Sequence, residues 1–590
     1  MKTKVVKRVL PTVLAAMIIT STVIGCGSQE TMKDAEGASE TSSMEQGIKS
    51  SGSVDTSSLP TLTMYPANAS LTSGLVGGHK GEFFAENGFN LEVWAYSDEK
   101  SNAILASGDL PDIMYVPKAN LDDMIKAGML LNLDEYMHEL PNVTRNEKMD
   151  AALNYIRTYN SADTGLLYCL PLNVGNLITV YGFNDQTERN ALKLLWEQYE
   201  GIGAPKIENY DDLLDAMEEM IVAYPKDEAG NPFYGTVLNS GSDSDYFAGV
   251  TLYYRWQGYD TGVLGYLLES DMVNGTVSSI LSTDSKYYEA LKWLNEAYTR
   301  GLMDPDSINT DRSSMWNKTA NHVMAPSGTL PGWADGGYYP YLVPGSKIYF
   351  NGSSTYGNGN YVIAISAKSE HIEECLTLLN LFNDPDSIFR ILNGPAGEGN
   401  IYTIEGNVIS LTEEYLDWYK NTDHSEAFAM ASGEQESFWN TSFCVNTGEL
   451  LSYKDLEGNY RTQRLEGFQE LKDICAENAT YKKWQETTGY TDWMDWLASE
   501  DALVTKSDLD NINTFASTPD DVMQLTIAAI KDTVVNASWQ MVYAESDAKF
   551  EEIWNKMVSD AEELGAKEVI EWKLEDIEKA KAIRNSLANE

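Results

Sequence analysis

The sequence predicts an α/β protein whose body is large enough to divide into two or more lobes. Three observations carry this. The chain has 590 residues, beyond the size at which one hydrophobic core keeps growing. Between Leu62 and Val116 short apolar strands alternate with helical stretches, the pattern of a parallel sheet with crossover helices. Towards the C-terminus apolar residues recur at helical spacing.

Taken in chain order, Lys2, Lys4, Lys7 and Arg8 precede the mostly apolar run Val9 to Ile24, the layout of a secretory leader and too short to span a bilayer comfortably. The run ends in Val23-Ile24-Gly25-Cys26, which resembles the bacterial lipobox. That resemblance implies a signal peptide over 1–25 and lipidation of Cys26. Residues 26–59 are Ser, Gly, Glu, Thr and Lys with almost no large apolar side chain, so they are expected to form a solvated tether that gives reach from the membrane.

The body opens with a strand candidate at Leu62 to Tyr65, then a turn and helix ending near Asn87-Gly88. Leu91, Val93 and Ala95 alternate with Glu92, Trp94 and Tyr96 as a second strand. Ser97-Asp98 caps a helix running to Ser107-Gly108, and Asp112 to Val116 returns as a third strand. Near the end, Phe550, Ile553, Trp554, Met557, Val558 and Ala561 form a helical core stripe stopped by Gly565.

Composition narrows function. Lys+Arg 42 against Asp+Glu 89 gives a net charge of −47, which argues against a nucleic-acid partner. The cysteines beyond Cys26 are Cys169, Cys375, Cys444 and Cys475, without C-x-x-C spacing; a Cys444–Cys475 bridge and buried thiols are both compatible. The histidines are scattered, there is no H-E-x-x-H, and neither cofactor nor metal is expected. Asp304-Pro305-Asp306 and Asp508-Leu509-Asp510 suggest calcium loops in part but miss the full pattern; acidic turns explain them as well.

Several segments resemble, in order, the family 1 extracellular solute-binding proteins, the binding subunits of ABC carbohydrate importers. They are Ala106-Ser107-Gly108-Asp109-Leu110-Pro111-Asp112-Ile113, Gly128 to Asp134, Leu167-Tyr168-Cys169-Leu170-Pro171, Gly301 to Pro305, Tyr361 to Ser366 before Glu373-Glu374-Cys375-Leu376, and Gly397 to Tyr402. The last is similar to the long, lipoprotein branch. The resemblance implies a two-lobed, periplasmic-binding-protein-like fold (type II), each lobe a mainly parallel sheet flanked by helices, with a helical C-terminal region. It implies crossings near Pro171 to Gly175 and Gly357 to Ser366, a first lobe of 61–172 with about 360–440, and a second of 173–359 with about 441–590. It also implies a monomer outside the cell that captures a polar solute in the cleft for membrane permease subunits, and no catalysis.

A sugar cleft needs aromatic rings against C–H faces and amides or carboxylates for hydroxyls. In open α/β sheets ligands bind beyond the carboxyl ends of strands. That rule selects Tyr65, Asn68 and Ser70 after the first strand, Trp94 and Tyr96 after the second, and Asn173 and Asn176 after the first crossing. In the second lobe Tyr253-Tyr254-Arg255-Trp256 is a candidate platform, with Arg255 and Trp256 as contacts, and Trp333 beside Asp335 is a candidate loop. Glu398 and Trp439 complete the set. Each of these rings could instead pack a core. Two rival functions stay open: a surface glycoside hydrolase, needing two carboxylates roughly 5 to 10 Å apart, and a receptor for a peptide or other organic solute.

Overall fold

The computed structural model describes residues 56–66, 73–176, 190–227, 230–243, 246–311, 314–315, 318, 323–325, 337–351, 353–357, 361–421, 428–430, 446–447, 449–454, 460–462, 465 and 468–587. The first strand, β1 (Thr61–Tyr65), is followed by β2 (Gly74–Leu75), helix α1 (Gly78–Glu86) and β3 (Asn90–Val93). Helix α2 (Asp98–Ser107) and β4 (Ile113–Pro117) complete the strand–helix alternation, and helix α3 (Lys118–Lys126) leaves β4 directly. As its sequence foretold, α2 starts on the Ser97 side chain, which accepts from Lys100 N, and ends at Gly108 in the left-handed region (φ 68).

Next come β5 (Leu170–Pro171) and β6 (Val174–Asn176), and much later β13 (Ser353–Ser354) and β14 (Tyr361–Ile365), counting the intervening strands β7 (Leu192–Leu195), β8 (Tyr259–Asp260), β9 (Leu268–Asp271), β10 (Thr276–Ser279), β11 (Tyr338–Tyr341) and β12 (Ile348–Tyr349). The largest sheet has the order β2-β3-β1-β4-β14-β5. Its centre is parallel, with Met64 opposite both Val93 and Ile113. It is mixed rather than mainly parallel, because β14 returns antiparallel to β4 and β5.

The sheet holds one core, in which Leu62, Met64, Leu91, Ile113, Val116 and Val362 to Ile365 are buried. Asp112, from the Leu110-Pro111-Asp112 turn, fastens its edge: it accepts Thr63 N at 2.8 Å, Thr63 Oγ1 at 2.7 Å and Ser369 Oγ at 2.6 Å. Burial opposes ionisation, but these donors outweigh it and hold the carboxyl below its ordinary value.

The second core differs from the parallel sheet expected there. Its longer described strand pairs are antiparallel, β7 with β11 and β9 with both β8 and β10, while the two-residue β12 runs parallel to Leu503–Val504, and its bulk is helical and aromatic, with Trp196, Tyr199, Tyr254, Tyr287, Trp484 and Trp554 buried. Parallel strands need long crossovers, whereas β9 and β10 turn over only Met272 to Gly275. A third, smaller core gathers Phe389, Ile401, Tyr402, Ile409, Tyr415 and Phe468 around a sheet from 402 to 462; nothing in the sequence reading anticipated it.

The helices Asp521–Val542, Asp547–Glu563 and Ala566–Leu587 end the chain. The middle one buries Phe550, Trp554, Met557 and Ala561, the stripe read from the sequence, and Gly565 breaks it at φ 105. The last helix serves two cores, Ala566 and Val569 packing in the aromatic one and Ile577 and Ala580 in that of the large sheet. Among the described residues no helix is long and apolar enough to cross a membrane. Cys169 and Cys375 are buried thiols. Cys475 lies against the Tyr419 hydroxyl at 3.8 Å, while Cys444, like Cys26, lies outside the described residues.

Candidate functional site

The two crossings read from the sequence meet in space. β6 pairs antiparallel with β13, Asn176 opposite Ser353, and parallel with β17 (Asn446–Thr447), so three passes of chain form one small sheet. Asn173 turns the chain between β5 and β6 in the left-handed region at φ 57. At Gly357 (φ 77) an added Cβ would lie 2.8 Å from Leu172 O and 2.9 Å from the Pro171 side chain. The two segments expected to be crossings are therefore packed closely, main chain against main chain, and only glycine fits there.

Beside them is the carboxyl edge of β3, β1 and β4. Trp94 and Tyr96, both half-buried, follow β3. Trp94 Nε1 donates to Glu92 Oε1 at 3.2 Å, and Lys100 Nζ stands 4.6 Å from the Trp94 ring centroid. Tyr65 is at this edge too, but its role is corrected: it is 2% exposed, stacked at 5.9 Å on Tyr96, and its hydroxyl serves Ser97 O at 3.0 Å and Ser101 Oγ at 2.7 Å. Its ring and hydroxyl are both used internally, so it supports Tyr96 and the Ser97 turn rather than presenting a face.

The second-lobe platform is also corrected. Tyr253, Tyr254 and Trp256 are core residues, Trp256 being 3% exposed, stacked on Tyr210 at 5.7 Å and edge-on to Trp293 at 5.7 Å. The short helix Thr251–Arg255 turns these rings inward, where helix packing takes them. Arg255 is half-buried beside them. Nearby lies a polar recess of about 370 Å³, lined among others by Tyr210, Gln257, Tyr259, Asn274, Lys286 and Ser346. Glu398 is exposed, on a turn that leads into the third core at Ile401 and Tyr402. Asn176 stands in β6. Asn68, Ser70, Trp333, Asp335 and Trp439 lie outside the described residues.

Sequence reasoning missed Lys118, which follows β4 as Trp94 follows β3. Its Nζ stands 5.0 Å from the Tyr155 ring centroid, and burial lowers its pKa to about 8, only weakly opposed by Cys169 nearby. Burial raises the Cys169 thiol to about 12, leaving it neutral. The strand-end rule would have found Lys118 had it been applied to the third strand as to the first two.

The acidic turns find protein partners. Asp304 accepts Lys318 Nζ at 2.5 Å, and Asp510 accepts Tyr349 OH at 2.5 Å and Ser507 N at 2.9 Å. Among the described residues no group of three His, Cys, Asp or Glu side chains is placed to hold a metal ion.

No curated protein sequence matches the chain. Solved structures with the same fold include an HMO-binding, ABC-transporter-associated solute-binding protein from Bifidobacterium longum infantis, 16% identical over 89% of this chain and 99% of that one, with a TM-score of 0.57. The Streptococcus pneumoniae ABC-transporter substrate-binding protein FusA in complex with kestose is 14% identical over 88% and 99%, with a TM-score of 0.52. The N-glycan transport solute-binding protein NgtS of the same organism is 14% identical over 89% and 99%, with a TM-score of 0.50. At such identities the likeness shows the two-lobed fold. Residues 81–387, more than half of the chain, match the model of the bacterial extracellular solute-binding proteins, and the chain belongs to that family.

Proposed function

We propose that the chain is the capture subunit of an ABC importer, held by lipid on Cys26 at the outer face of the membrane, that binds an oligosaccharide reversibly between its lobes as a monomer. The observation that supports it most is the juxtaposition of the three-pass hinge sheet with an aromatic strand edge carrying Trp94 and Tyr96. A ligand that touches both lobes favours the closed arrangement by its differential affinity for it, so closure reports occupancy to the permease. The solved relatives named for HMO, kestose and N-glycan cargo point the same way. On this reading lobe 1 comprises 61–172 with parts of about 360–440, and lobe 2 most of the remainder.

Bond-breaking chemistry is no part of the proposal, nor is a peptide cargo. A thermal-shift series on the full chain in detergent against oligosaccharides, peptides and organic acids tests it. A bound sugar at a hundred times its dissociation constant adds about 2.7 kcal/mol of stability. A raised midpoint with the sugar recovered intact supports the receptor. Sugar consumed catalytically, or a shift given by peptides alone, overturns it.

A further inference from the structure

We propose that the cargo bears an anionic oxygen group, a uronate carboxylate or an ester sulfate, and that Lys118, with Lys100 as a second cation, selects it. The inference deepens the oligosaccharide reading above and rests on it.

Lys118 is the first residue after β4, and Pro117 before it pairs with Tyr361, where the second crossing enters β14. Its ammonium therefore belongs to the point where the hinge meets the strand edge. Lys100, on α2 beyond the end of β3, stands over Trp94 at 4.6 Å and over Tyr65, on the strand next to β4, at 5.9 Å. The chain has more than twice as many acidic as basic residues, and three other shielded lysines are matched with carboxylates: Lys286 with Glu289, Lys318 with Asp304, Lys573 with Asp576. Among the described residues Lys118 has no such match. The described groups beside its ammonium are a neutral thiol, Cys169, and the face of Tyr155, whose own hydroxyl is committed to Thr514 O at 2.9 Å.

A ring face does not replace a carboxylate for a desolvated ammonium. The depressed pKa of about 8 records that shortfall, yet leaves Lys118 largely charged at neutral pH. An incoming anion would supply what the fold withholds, in a site whose low polarity strengthens the pair. Lysine suits the task as a compact charge on a flexible stem, indifferent to whether the anion is planar or tetrahedral.

The test titrates the full chain with matched pairs: neutral galacto-, xylo- and manno-oligosaccharides against oligogalacturonates, glucuronoxylo-oligosaccharides and oligomannuronates, with lactose sulfate separating sulfate from carboxylate. The expected result is about tenfold or greater preference for acidic members, weakening as salt is raised. Lys118→Met should erase the preference without lowering the unliganded melting midpoint, and Lys118→Arg should retain most of it. Lys100→Gln should reduce it.

Neutral sugars bound as tightly as their acidic partners overturn this inference and leave the receptor reading standing. No binding by either kind overturns both. An acid preference unchanged in both Lys118→Met and Lys100→Gln overturns the assignment of residues.

Discussion

Gly357→Ala probes the claim that the two crossings are packed backbone on backbone. The substitution places a Cβ at a residue with φ +77, a left-handed conformation that costs an alanine about 1–2 kcal/mol. That Cβ also meets Leu172 O at 2.8 Å and Pro171 Cβ at 2.9 Å, with Val174 Cγ2 at 3.3 Å. Two of these contacts are closer than real Cβ atoms come, and the main-chain oxygen is not the end of a flexible side chain, so β5 must shift; overpacking of this kind costs about 1–3 kcal/mol. The expected total is about 2–5 kcal/mol. Gly301→Ala is the internal control, because Gly301 has nearly the same φ, +72, with nothing within 4 Å of the added Cβ, so it carries the backbone cost alone. The assay is urea unfolding followed by tryptophan fluorescence, comparing midpoints at unchanged slope. If Gly357→Ala and Gly301→Ala lose the same stability within about 0.5 kcal/mol, the crowding argument is wrong and the crossings are looser than described.

Trp94→Ala should weaken sugar binding about 10–100-fold while altering stability by less than about 1 kcal/mol, since the ring is only half-buried; calorimetric titration showing full affinity would remove Trp94 from the site. Lys573→Met leaves Asp576 buried without its cation, a pair at 2.9 Å with side chains 2% and 3% exposed, and should cost about 3–5 kcal/mol, most of it recovered in Lys573→Met/Asp576→Leu; equal losses in the single and double variants would contradict this. Burial raises Asp243 from 3.8 to about 6, against hydrogen bonds from Ala248 N and Trp539 Nε1, so its stabilising contribution is fully present below pH 3.8 and is lost as pH rises through 6. Wild type should lose about 2–3 kcal/mol relative to Asp243→Asn between pH 4 and pH 7, and parallel melting curves across that range would refute it.

Elements specified by neighbouring residues were legible in advance. Ser97 and Gly108 bracket α2 because a capping hydroxyl and a left-handed glycine act within a turn of their own sequence. The inward positions Leu62, Met64, Leu91, Val93 and Ile113 follow from strand periodicity, and Phe550, Trp554, Met557 and Ala561 from helical periodicity. At the strand edge the same logic placed Trp94 and Tyr96 where their rings stay partly exposed, but it did not foresee that Tyr65 and Trp256 are buried. Period alone does not say whether a ring at a strand end or on a short helix finds another ring to cover it, as Tyr96 covers Tyr65 and Tyr210 covers Trp256.

By itself the sequence determined the strand–helix alternation between Leu62 and Val116, the family and the excess of acidic charge, because each is written in local pattern, composition or motif order. Only the tertiary structure decided that β14 runs against β4, that the aromatic residues of the second core pack as helices with antiparallel pairs, and that residues 389 to 471 close a core of their own. It alone brought Leu172 against Gly357 and set Lys118 beside the ring of Tyr155. The physical reason is common to all of these: they depend on contacts between residues far apart in the chain, whose geometry is fixed by how whole elements pack and is not encoded in any single stretch of residues.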